Sequence, residues 1–342
     1  MYDEPTAQPV KSRRRRWILA SGAVAAVAAL AAAATLTAQN ASAASYPNPG
    51  AVNGNITVHD PSMVKGTDGV YYLFGTHNGI EERTSTDRTT WTYAGSVLSS
   101  GATWATAYSS NVKDIWAPDV SYHNGKYYLY YAVSSFGSNH SAIGLATSTT
   151  AKVGSWTDKG VVYTSNSSSN FNAIDPSLVV DSSGNWWLTM GSFWTGIKMI
   201  QIDPSTGKQL SSNTTRYSLA QRSSPDALEA STIVKHGSYY YLYVSFDYCC
   251  QGASSTYRIM VGRSTSITGT FKDKNGTSML SGGGTEILAS HSPYMGPGGQ
   301  SIYSDTDHDL LVYHYYDANA SGQNKLGINY ISYDSSGWPY VW

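Results

Sequence analysis

One pattern returns five times along this chain of 342 residues and limits what the chain can fold into. Each copy has an apolar segment, a short polar turn and a segment rich in aromatic residues. The second copy reads Pro118-Asp-Val-Ser-Tyr-His-Asn-Gly-Lys-Tyr-Tyr-Leu-Tyr. In four copies the turn contains an Asp-Gly, Asn-Gly, Ser-Gly or His-Gly pair, and such pairs accept the positive φ of tight hairpin turns. Each copy is therefore predicted to be a β-hairpin.

The spacing of the copies predicts the architecture. The copies begin at Pro61, Pro118, Pro176, Ser231 and Ser301, and their aromatic segments start 56, 59, 54 and 70 residues apart. A unit of that length holds about four strands, which is the size of one propeller blade. A β-sandwich is the alternative, but it does not explain repeats of this length. We predict an all-β, five-bladed β-propeller.

The composition agrees with a fold of strands and turns. The chain has 27 Tyr, 10 Trp and 32 Gly, and aromatic residues favour strands whereas Gly favours turns. A hydrophobic fraction of 41% indicates a packed protein rather than a disordered one. The formal net charge of −1 removes the electrostatic reason to expect nucleic acid or an anionic membrane as a partner.

The first 43 residues predict a secretory signal peptide. Lys11 and the arginines at 13–16 precede an apolar stretch from 17 to about 34, and Ala41-Ser42-Ala43 is the small-residue pattern that signal peptidase reads. The arginine run also fits a twin-arginine signal. An uncleaved membrane anchor is the alternative, because the apolar stretch nearly reaches spanning length. We predict a signal peptide at 1–43, a propeller at 44–342, secretion by the Sec or twin-arginine route, and no stable membrane anchor after cleavage.

Three acidic residues stand just before the apolar segments of three copies. Asp60 and Asp175 each precede the proline that begins a copy, and Glu229 lies two residues before the start of the fourth. Inner strands of a propeller surround a channel, so these side chains can converge there. An Asp-Pro pair is also a common turn, but three acids placed alike favour a shared site. Carboxylates that face one channel raise one another's pKa, which keeps a general acid protonated near neutral pH.

The sequences around the three acids resemble glycoside hydrolase family 43. Four further segments are similar to the endo-α-1,5-arabinanases of that family: Ile115-Trp-Ala-Pro-Asp-Val, Ser192-Phe-Trp-Thr-Gly-Ile, Tyr243-Val-Ser-Phe-Asp-Tyr-Cys-Cys-Gln-Gly and Val312-Tyr-His-Tyr-Tyr-Asp. The resemblance implies a five-bladed propeller, in agreement with the repeat. It also implies internal hydrolysis of α-1,5-L-arabinofuranosidic bonds with inversion. The expected partners are arabinan and arabino-oligosaccharides, and the protein is expected to be a monomer.

The resemblance also implies roles for individual residues. Asp60 is expected to be the general base, Glu229 the general acid, and Asp175 the residue that orients the acid and raises its pKa. Inversion requires the base and the acid to lie roughly 6.5–9.5 Å apart, and residues from different blades can supply that gap. The residues expected at the substrate are Asp60, Asp175, Gly137, Asn172, Ala173, Ile174, Ser192, Phe193 and Trp194. Trp116 and Phe136 are candidates for stacking on sugar faces, although a core position is the alternative for any single aromatic residue.

His314 is expected to lie at a calcium ion that is held mostly by water, and this expectation comes from the resemblance. Calcium prefers oxygen ligands, so water has to complete the shell around one imidazole nitrogen. A buried, hydrogen-bonded histidine is the alternative. His59 is expected to shape the site rather than to bind metal, and the other histidines lack the spacing of a zinc site. The adjacent Cys249 and Cys250 can form a vicinal disulfide or remain thiols.

Other functions remain open at the level of sequence. Family 43 also contains exo-acting arabinofuranosidases and β-xylosidases. A carbohydrate-binding propeller without catalysis keeps the aromatic residues but does not need three acids in related positions. A retaining furanosidase of the invertase type is disfavoured, because its Asn-Asp-Pro-Asn, Arg-Asp-Pro and Glu-Cys motifs read here as His-Asp-Pro-Ser, Ile-Asp-Pro-Ser and Glu-Ala.

Overall fold

The computed structural model describes residues 46–342, so the predicted signal peptide and its cleavage site lie outside the described residues. The described part of the chain contains 22 β-strands and no α-helix. Four short 3₁₀ segments lie at Thr103–Ala107, Gly252–Ser254, Met279–Ser281 and Ala318–Ala320. Between residues 46 and 342, no helix has the length and apolar character needed to cross a bilayer.

The strands form five sheets that follow one another along the chain. Blade 1 contains β1 (Asn53–Gly54), β2 (Ser62–Lys65), β3 (Tyr71–Gly75), β4 (Glu81–Ser85) and β5 (Thr90–Ser96). Blade 2 contains β6 (Trp116–His123), β7 (Lys126–Val133), β8 (Ser141–Ser148) and β9 (Thr157–Ser165). Blade 3 contains β10 (Ser177–Val180), β11 (Trp186–Met190), β12 (Ile197–Asp203), β13 (Lys208–Gln209) and β14 (Tyr217–Ala220). Blade 4 contains β15 (Leu228–His236), β16 (Tyr239–Phe246), β17 (Arg258–Ser264) and β18 (Thr285–Leu288). Blade 5 contains β19 (Tyr294–Ser304), β20 (Asp309–Asp317), β21 (Gln323–Tyr333) and β22 (Pro339–Val341).

The first long hairpin of every blade is the repeated sequence pattern. The apolar segment forms the innermost strand, the aromatic segment pairs with it antiparallel, and the chain then continues outward. The turn glycines have positive φ in the four copies that contain them, at Gly69, Gly125, Gly184 and Gly237. The predicted five-bladed propeller is confirmed.

Contacts between the first and last blades close the ring. The innermost strands β2, β6, β10, β15 and β19 are neighbours in that order, and β19 also contacts β2. The Ser301 hydroxyl donates to the carbonyl of Pro61 at 2.8 Å. The segment that precedes β2 forms two backbone hydrogen bonds with β21, from Gly50 N–H to Ile328 O and from Leu326 N–H to Ile56 O, both 2.8 Å. The start of the propeller is thus tied to its final blade.

The core is divided into five hydrophobic clusters, one between each pair of neighbouring blades. Trp186 and Trp187 show how this arises. They are adjacent in β11 and point to opposite faces of the sheet, as strand geometry requires. Trp186 packs between blades 2 and 3, and Trp187 packs between blades 3 and 4. Both sheet faces are buried, which explains why apolar and aromatic residues follow one another without a polar alternation.

Candidate active site

A residue with left-handed backbone stands at the channel mouth in every blade. These residues are Asp60, Ala117, Asp175, Ala230 and Gly299, with φ of 46°, 45°, 55°, 53° and 56°. Two positions after each of them lies a residue of the innermost strand that pairs with the second strand of the same blade. These paired residues are Ser62, Asp119, Ser177, Thr232 and Ser301. Such a conformation is uncommon for residues other than Gly, so its fivefold recurrence is a property of this fold. It places the carboxylates of Asp60 and Asp175 at equivalent points of the ring.

Glu229 lies one position before the left-handed residue of its blade, Ala230. The three acids are therefore not fully equivalent, since Glu229 takes the place that His59 has in blade 1. The pairing of β15 with β16 shifts register between Glu229 and Thr232, as the inner strands of blades 2 and 5 also do at the same place, so the shift is a feature of the inner strands rather than of the glutamate. The Ala230 N–H donates to Asp175 Oδ2 at 2.9 Å. This hydrogen bond joins blades 3 and 4 directly beside the glutamate.

The surroundings of Asp60 favour its ionised form. Its Oδ2 accepts hydrogen bonds from the Thr76 hydroxyl at 2.7 Å and contacts His59 Nδ1 at 2.8 Å. Its Oδ1 lies 3.5 Å from Nδ1 of His314. Burial alone raises the pKa of Asp60, but the charge and hydrogen bond of His59, aided by His314 and Thr76, bring the pKa well below its usual value. Oδ2 is occupied by donors, so Oδ1 is the oxygen that remains available.

The surroundings of Glu229 favour its protonated form. Its exposed fraction is 9%, and its two oxygens accept hydrogen bonds from neutral hydroxyls, those of Ser192 at 2.5 Å and of Tyr257. Burial raises the pKa of Glu229 to about 7; the negative charge of Asp60 adds to the rise, whereas the Ser192 hydrogen bond and His59 oppose it. A carboxylic acid with that pKa still carries its proton in a large fraction of molecules near neutral pH.

The surroundings of Asp175 also favour its protonated form. Burial raises its pKa well above the usual value, and the negative charges of Glu229 and Asp60 raise it further. The hydrogen bond from Ala230 gives Asp175 a fixed position beside the acid.

The channel continues below the three acids. Two residues further along the innermost strands, the lining consists of Ser62, Ser177, Thr232 and Ser301 from four blades, and of Asp119 from blade 2. Asp119 Oδ2 accepts a hydrogen bond from Leu178 N–H at 2.8 Å, and burial raises its pKa to about 6. Asp119 thus belongs to the channel, but its position in the strand is two residues deeper than those of Asp60 and Asp175.

The rim of the site is built by the turns that follow the second strand of each blade. Register places these turns at the channel mouth, because the end of each second strand pairs with the start of the inner strand. Ser192, Phe193 and Trp194 follow β11, and Gly137 follows β7. Phe193 N–H donates to Leu228 O, directly before Glu229, at 2.9 Å. Trp194 is 36% exposed, and Phe136, beside Gly137, is 87% exposed. Two of the aromatic candidates therefore present an open surface.

The remaining predicted substrate residues are less open. Asn172, Ala173 and Ile174 are buried, with 4%, 0% and 8% exposure. The Asn172 amide oxygen accepts a hydrogen bond from the Ser141 hydroxyl at 2.6 Å, which fixes the amide beneath the rim. Trp116 is half-buried, and its indole N–H donates to Asp114 at 3.0 Å.

Several residues in the site were not found from the sequence. Thr76 and Tyr257 contact Asp60 and Glu229, but they come from parts of the chain without a recognisable motif. Tyr316 contacts His59, and the position of Tyr316 in the sequence could have indicated this contact. It lies two positions after His314 in a strand, and such residues share one face.

Cys249 and Cys250 are joined in a disulfide at the rim, after β16. The sulfur of Cys250 lies 3.8 Å from Nε2 of His59. In this form the two sulfurs offer no thiolate to a metal ion. The sequence left the state of the two cysteines open, and the structure gives the bridged form.

His314 has features that fit a cation ligand. It is fully buried, its Nδ1 faces Asp60, and its Nε2 has no hydrogen-bond partner within the described residues. Burial, together with the charge of His59, lowers its pKa well below the usual value, so the ring is neutral and can offer a lone pair. Nδ1 accepts a hydrogen bond from the Asp60 backbone N–H at 3.1 Å, and a cation on Nε2 would require the ring proton to move to Nδ1, which also lies 3.5 Å from Asp60 Oδ1.

Comparisons with known proteins agree on one family. The family model for "Glycosyl hydrolases family 43" matches residues 52–339. The extracellular endo-α-(1→5)-L-arabinanase 1 of Bacillus subtilis is 48% identical over 291 residues, which cover 83% of this chain and 88% of that protein. The solved structure of a GH43 endo-arabinanase from Bacillus licheniformis has a TM-score of 0.80 and 45% identity, covering 85% of this chain and 99% of that one. An exo-1,5-α-L-arabinanase from a bovine ruminal metagenomic library has a TM-score of 0.80 and 40% identity, with the same coverage.

Proposed function

This chain belongs to glycoside hydrolase family 43, and we propose that it is a secreted, inverting endo-arabinanase that cleaves α-1,5-L-arabinofuranosidic bonds within arabinan. The names of its relatives support the substrate, and the extracellular relative supports secretion. One observation supports the mechanism above all others. The same channel mouth holds a carboxylate whose surroundings favour ionisation and another whose surroundings favour protonation.

In this mechanism Asp60 is the general base. Water attacks the anomeric carbon while Asp60 Oδ1 takes one of its protons, because Oδ2 already accepts from Thr76 and His59. Gly299 leaves room for this oxygen, since a Cβ at that position would lie 2.3 Å from Asp60 Oδ1. The low pKa of Asp60 keeps it ionised and ready to accept a proton across the neutral range.

Glu229 is the general acid on the other side of the sugar. It gives its proton to the glycosidic oxygen as the bond to the anomeric carbon breaks, and Ser192 and Tyr257 fix the direction of its carboxyl group. The products are the shortened chain with a free hydroxyl and a new reducing end of inverted configuration. Asp175 would orient the acid through the Ala230 N–H, and in its ionised form its negative charge would raise the pKa of Glu229.

We propose that the rim binds the sugar chain. Trp194, Phe193 and Trp116 would stack on sugar faces, and Gly137 would contribute a backbone group from an exposed turn. The buried Asn172, Ala173 and Ile174 would shape the wall beneath the sugar next to Asp175. His314 would hold a calcium ion through Nε2 with water as the other ligands, and the ion would supply positive charge near Asp60.

Product analysis tests the proposal. The protein spanning 44–342 is incubated with linear α-1,5-arabinan, with an aryl arabinofuranoside and with xylan. Early release of oligosaccharides of several lengths, with inverted configuration at the new reducing end by NMR, is the expected result. Activity confined to the aryl glycoside or to xylan would contradict the substrate, and retained configuration would contradict the mechanism.

Exo action is a second candidate, because one related structure is that of an exo-1,5-α-L-arabinanase. The same experiment separates the two modes. An exo-acting enzyme releases one short product from the beginning and leaves the average chain length almost unchanged, whereas an endo-acting enzyme shortens the polymer at once.

A further inference from the structure

A chain of polar contacts leads from the back of Asp60 to the disulfide at the rim. His59 Nδ1 lies 2.8 Å from Asp60 Oδ2, and His59 Nε2 lies 2.9 Å from the Tyr316 hydroxyl. That hydroxyl in turn accepts a hydrogen bond from the backbone N–H of Cys250 at 2.8 Å. Two residues, His59 and Tyr316, therefore link the proposed base to the disulfide-bonded turn.

The direction of these hydrogen bonds follows from their chemistry. A phenol has one proton, and the Cys250 N–H already occupies an acceptor site on Tyr316. Tyr316 can therefore donate its proton to Nε2 of His59, and a neutral His59 ring then carries its own proton on Nδ1. That proton faces Asp60 Oδ2. The opposite tautomer would place a lone pair against the carboxylate.

The position of the His59 ring is also restrained from one face and from the loop. Its ring stacks on that of His314, with centroids 3.8 Å apart. The turn that holds Cys250 begins at Asp247, which forms ion pairs with Arg222 at 2.8 Å and Arg258 at 2.7 Å. The backbone N–H that acts on Tyr316 is thus presented by an anchored turn closed by a disulfide.

We propose that the disulfide-closed turn, through Tyr316, fixes the tautomer and position of His59, and that His59 thereby holds Asp60 in its working orientation. Tyr316 and the disulfide are positioning elements, because neither needs to touch the sugar for this effect. The inference rests on the proposed role of Asp60 as the base. Cys250 is exposed at the rim, so an external thiol can reach the disulfide.

The first test removes the Tyr316 hydroxyl alone. Tyr316→Phe should lower kcat on arabinan by about tenfold with little change in KM, because it disturbs a supporting contact rather than sugar binding. The matched control is Tyr130→Phe, which loses one buried hydroxyl hydrogen bond, to Gly207 at 2.9 Å in blade 2. Its kcat should equal that of the wild type. Equal kcat values for both variants would overturn the proposal.

The second test breaks the disulfide. Dithiothreitol supplies two electrons and two protons, the S–S bond becomes two thiols, and the reagent closes into its own cyclic disulfide. The chain has only two cysteines, so the reaction is specific. Reduction should lower kcat of the wild type and have no further effect on Tyr316→Phe, since both changes act through one path. The double variant C249S/C250S should match the reduced enzyme. Equal losses in the wild type and in Tyr316→Phe would refute the link.

A third measurement does not depend on activity. ¹⁵N NMR of labelled histidine distinguishes the two neutral tautomers, and a His59→Asn variant assigns the resonances of His59. At a pH at which His59 is neutral, the Nδ1–H tautomer is expected in the oxidised wild type and in Tyr130→Phe, with its population reduced in Tyr316→Phe and after reduction. An unchanged tautomer would overturn the inference. If the wild type fails to cleave arabinan, the proposed function fails, and the NMR result still decides the tautomer.

Discussion

Asp60 and Glu229 occupy the mouth of one channel, but their surroundings differ in kind. Asp60 has a histidine that can carry positive charge within 2.8 Å, whereas Glu229 has only neutral hydroxyl partners in direct contact and is more deeply buried. Burial therefore raises the pKa of Glu229, whereas at Asp60 the effect of burial on the pKa is outweighed by the charge and hydrogen bonds of its partners. The comparison teaches that a symmetric ring can supply an acid and a base when the partners of each carboxyl group differ.

The largest expected effect is the loss of activity when either carboxyl group is replaced, and two substrates distinguish the roles of the two groups. Glu229→Gln and Asp60→Asn should each lower kcat on arabinan by roughly 10²–10⁴-fold. With an aryl arabinofuranoside that has a good leaving group, protonation is no longer needed, so Glu229→Gln should recover much of its rate. Asp60→Asn should stay slow, because water still needs a base. Equal losses of both variants on both substrates would break the distinction between acid and base.

A methyl group beside Asp60 should act on the base alone. Gly299→Ala places a Cβ 2.3 Å from Asp60 Oδ1 and within 3 Å of the His314 ring, at a φ of 56° that disfavours alanine. We expect a fall in kcat of about 10²-fold, as for a displacement of about 1 Å, on both arabinan and the aryl glycoside. The measurement is steady-state kinetics with circular dichroism as the folding control. A variant with full activity on either substrate would show that Oδ1 is not the working oxygen.

Removal of a cation bound at His314 should weaken the action of Asp60 as the base. If His314 holds calcium, treatment with a chelator should lower activity, added calcium should restore it, and elemental analysis should find about one ion per chain before treatment. His314→Gln should have lower activity that no longer responds to the chelator. An untreated protein without metal and with full activity would refute this site.

The smallest expected effect is a shift of the alkaline limb of the pH profile. Glu229 must be protonated, so activity should fall as the pH rises through about 7. The Ser192 hydroxyl donates to Glu229 and lowers its pKa. Ser192→Ala should therefore move the alkaline limb of kcat/KM to higher pH by up to about one unit and leave the acidic limb unchanged. A shift to lower pH would contradict the assigned hydrogen bond.

The fold was predictable because its signals are local. Each turn and its two strands lie within about twenty residues, so the five hairpins can be read from the sequence one at a time. The convergence of Asp60 and Asp175 was predictable for the same reason, since both lie two residues before an inner strand, next to its proline. Thr76 and Tyr257 were not predictable, because their contacts depend on how neighbouring strands bring distant residues together.

The offset of Glu229 shows the same limit. The sequence places it near the start of its repeat, but the hydrogen bond from the Ala230 N–H to Asp175 joins two blades and depends on how those blades pack. Ser192 was expected at the substrate, and in the structure its hydroxyl donates to Glu229. The sequence thus predicted which acids meet at the channel mouth, whereas the hydrogen bonds that set each pKa required the structure.

The most direct test of the account measures the protonation of Glu229 itself. The chain has five Glu residues, so ¹³C labelling of the glutamate carboxyl groups gives a simple NMR spectrum. Burial also raises the pKa of Glu82 to about 7, and the Glu229→Gln variant is therefore needed to assign the signal. The account predicts that the Glu229 carboxyl titrates near pH 7. Titration near 4.5, the usual value of a glutamate carboxyl group, would contradict the proposed division into acid and base.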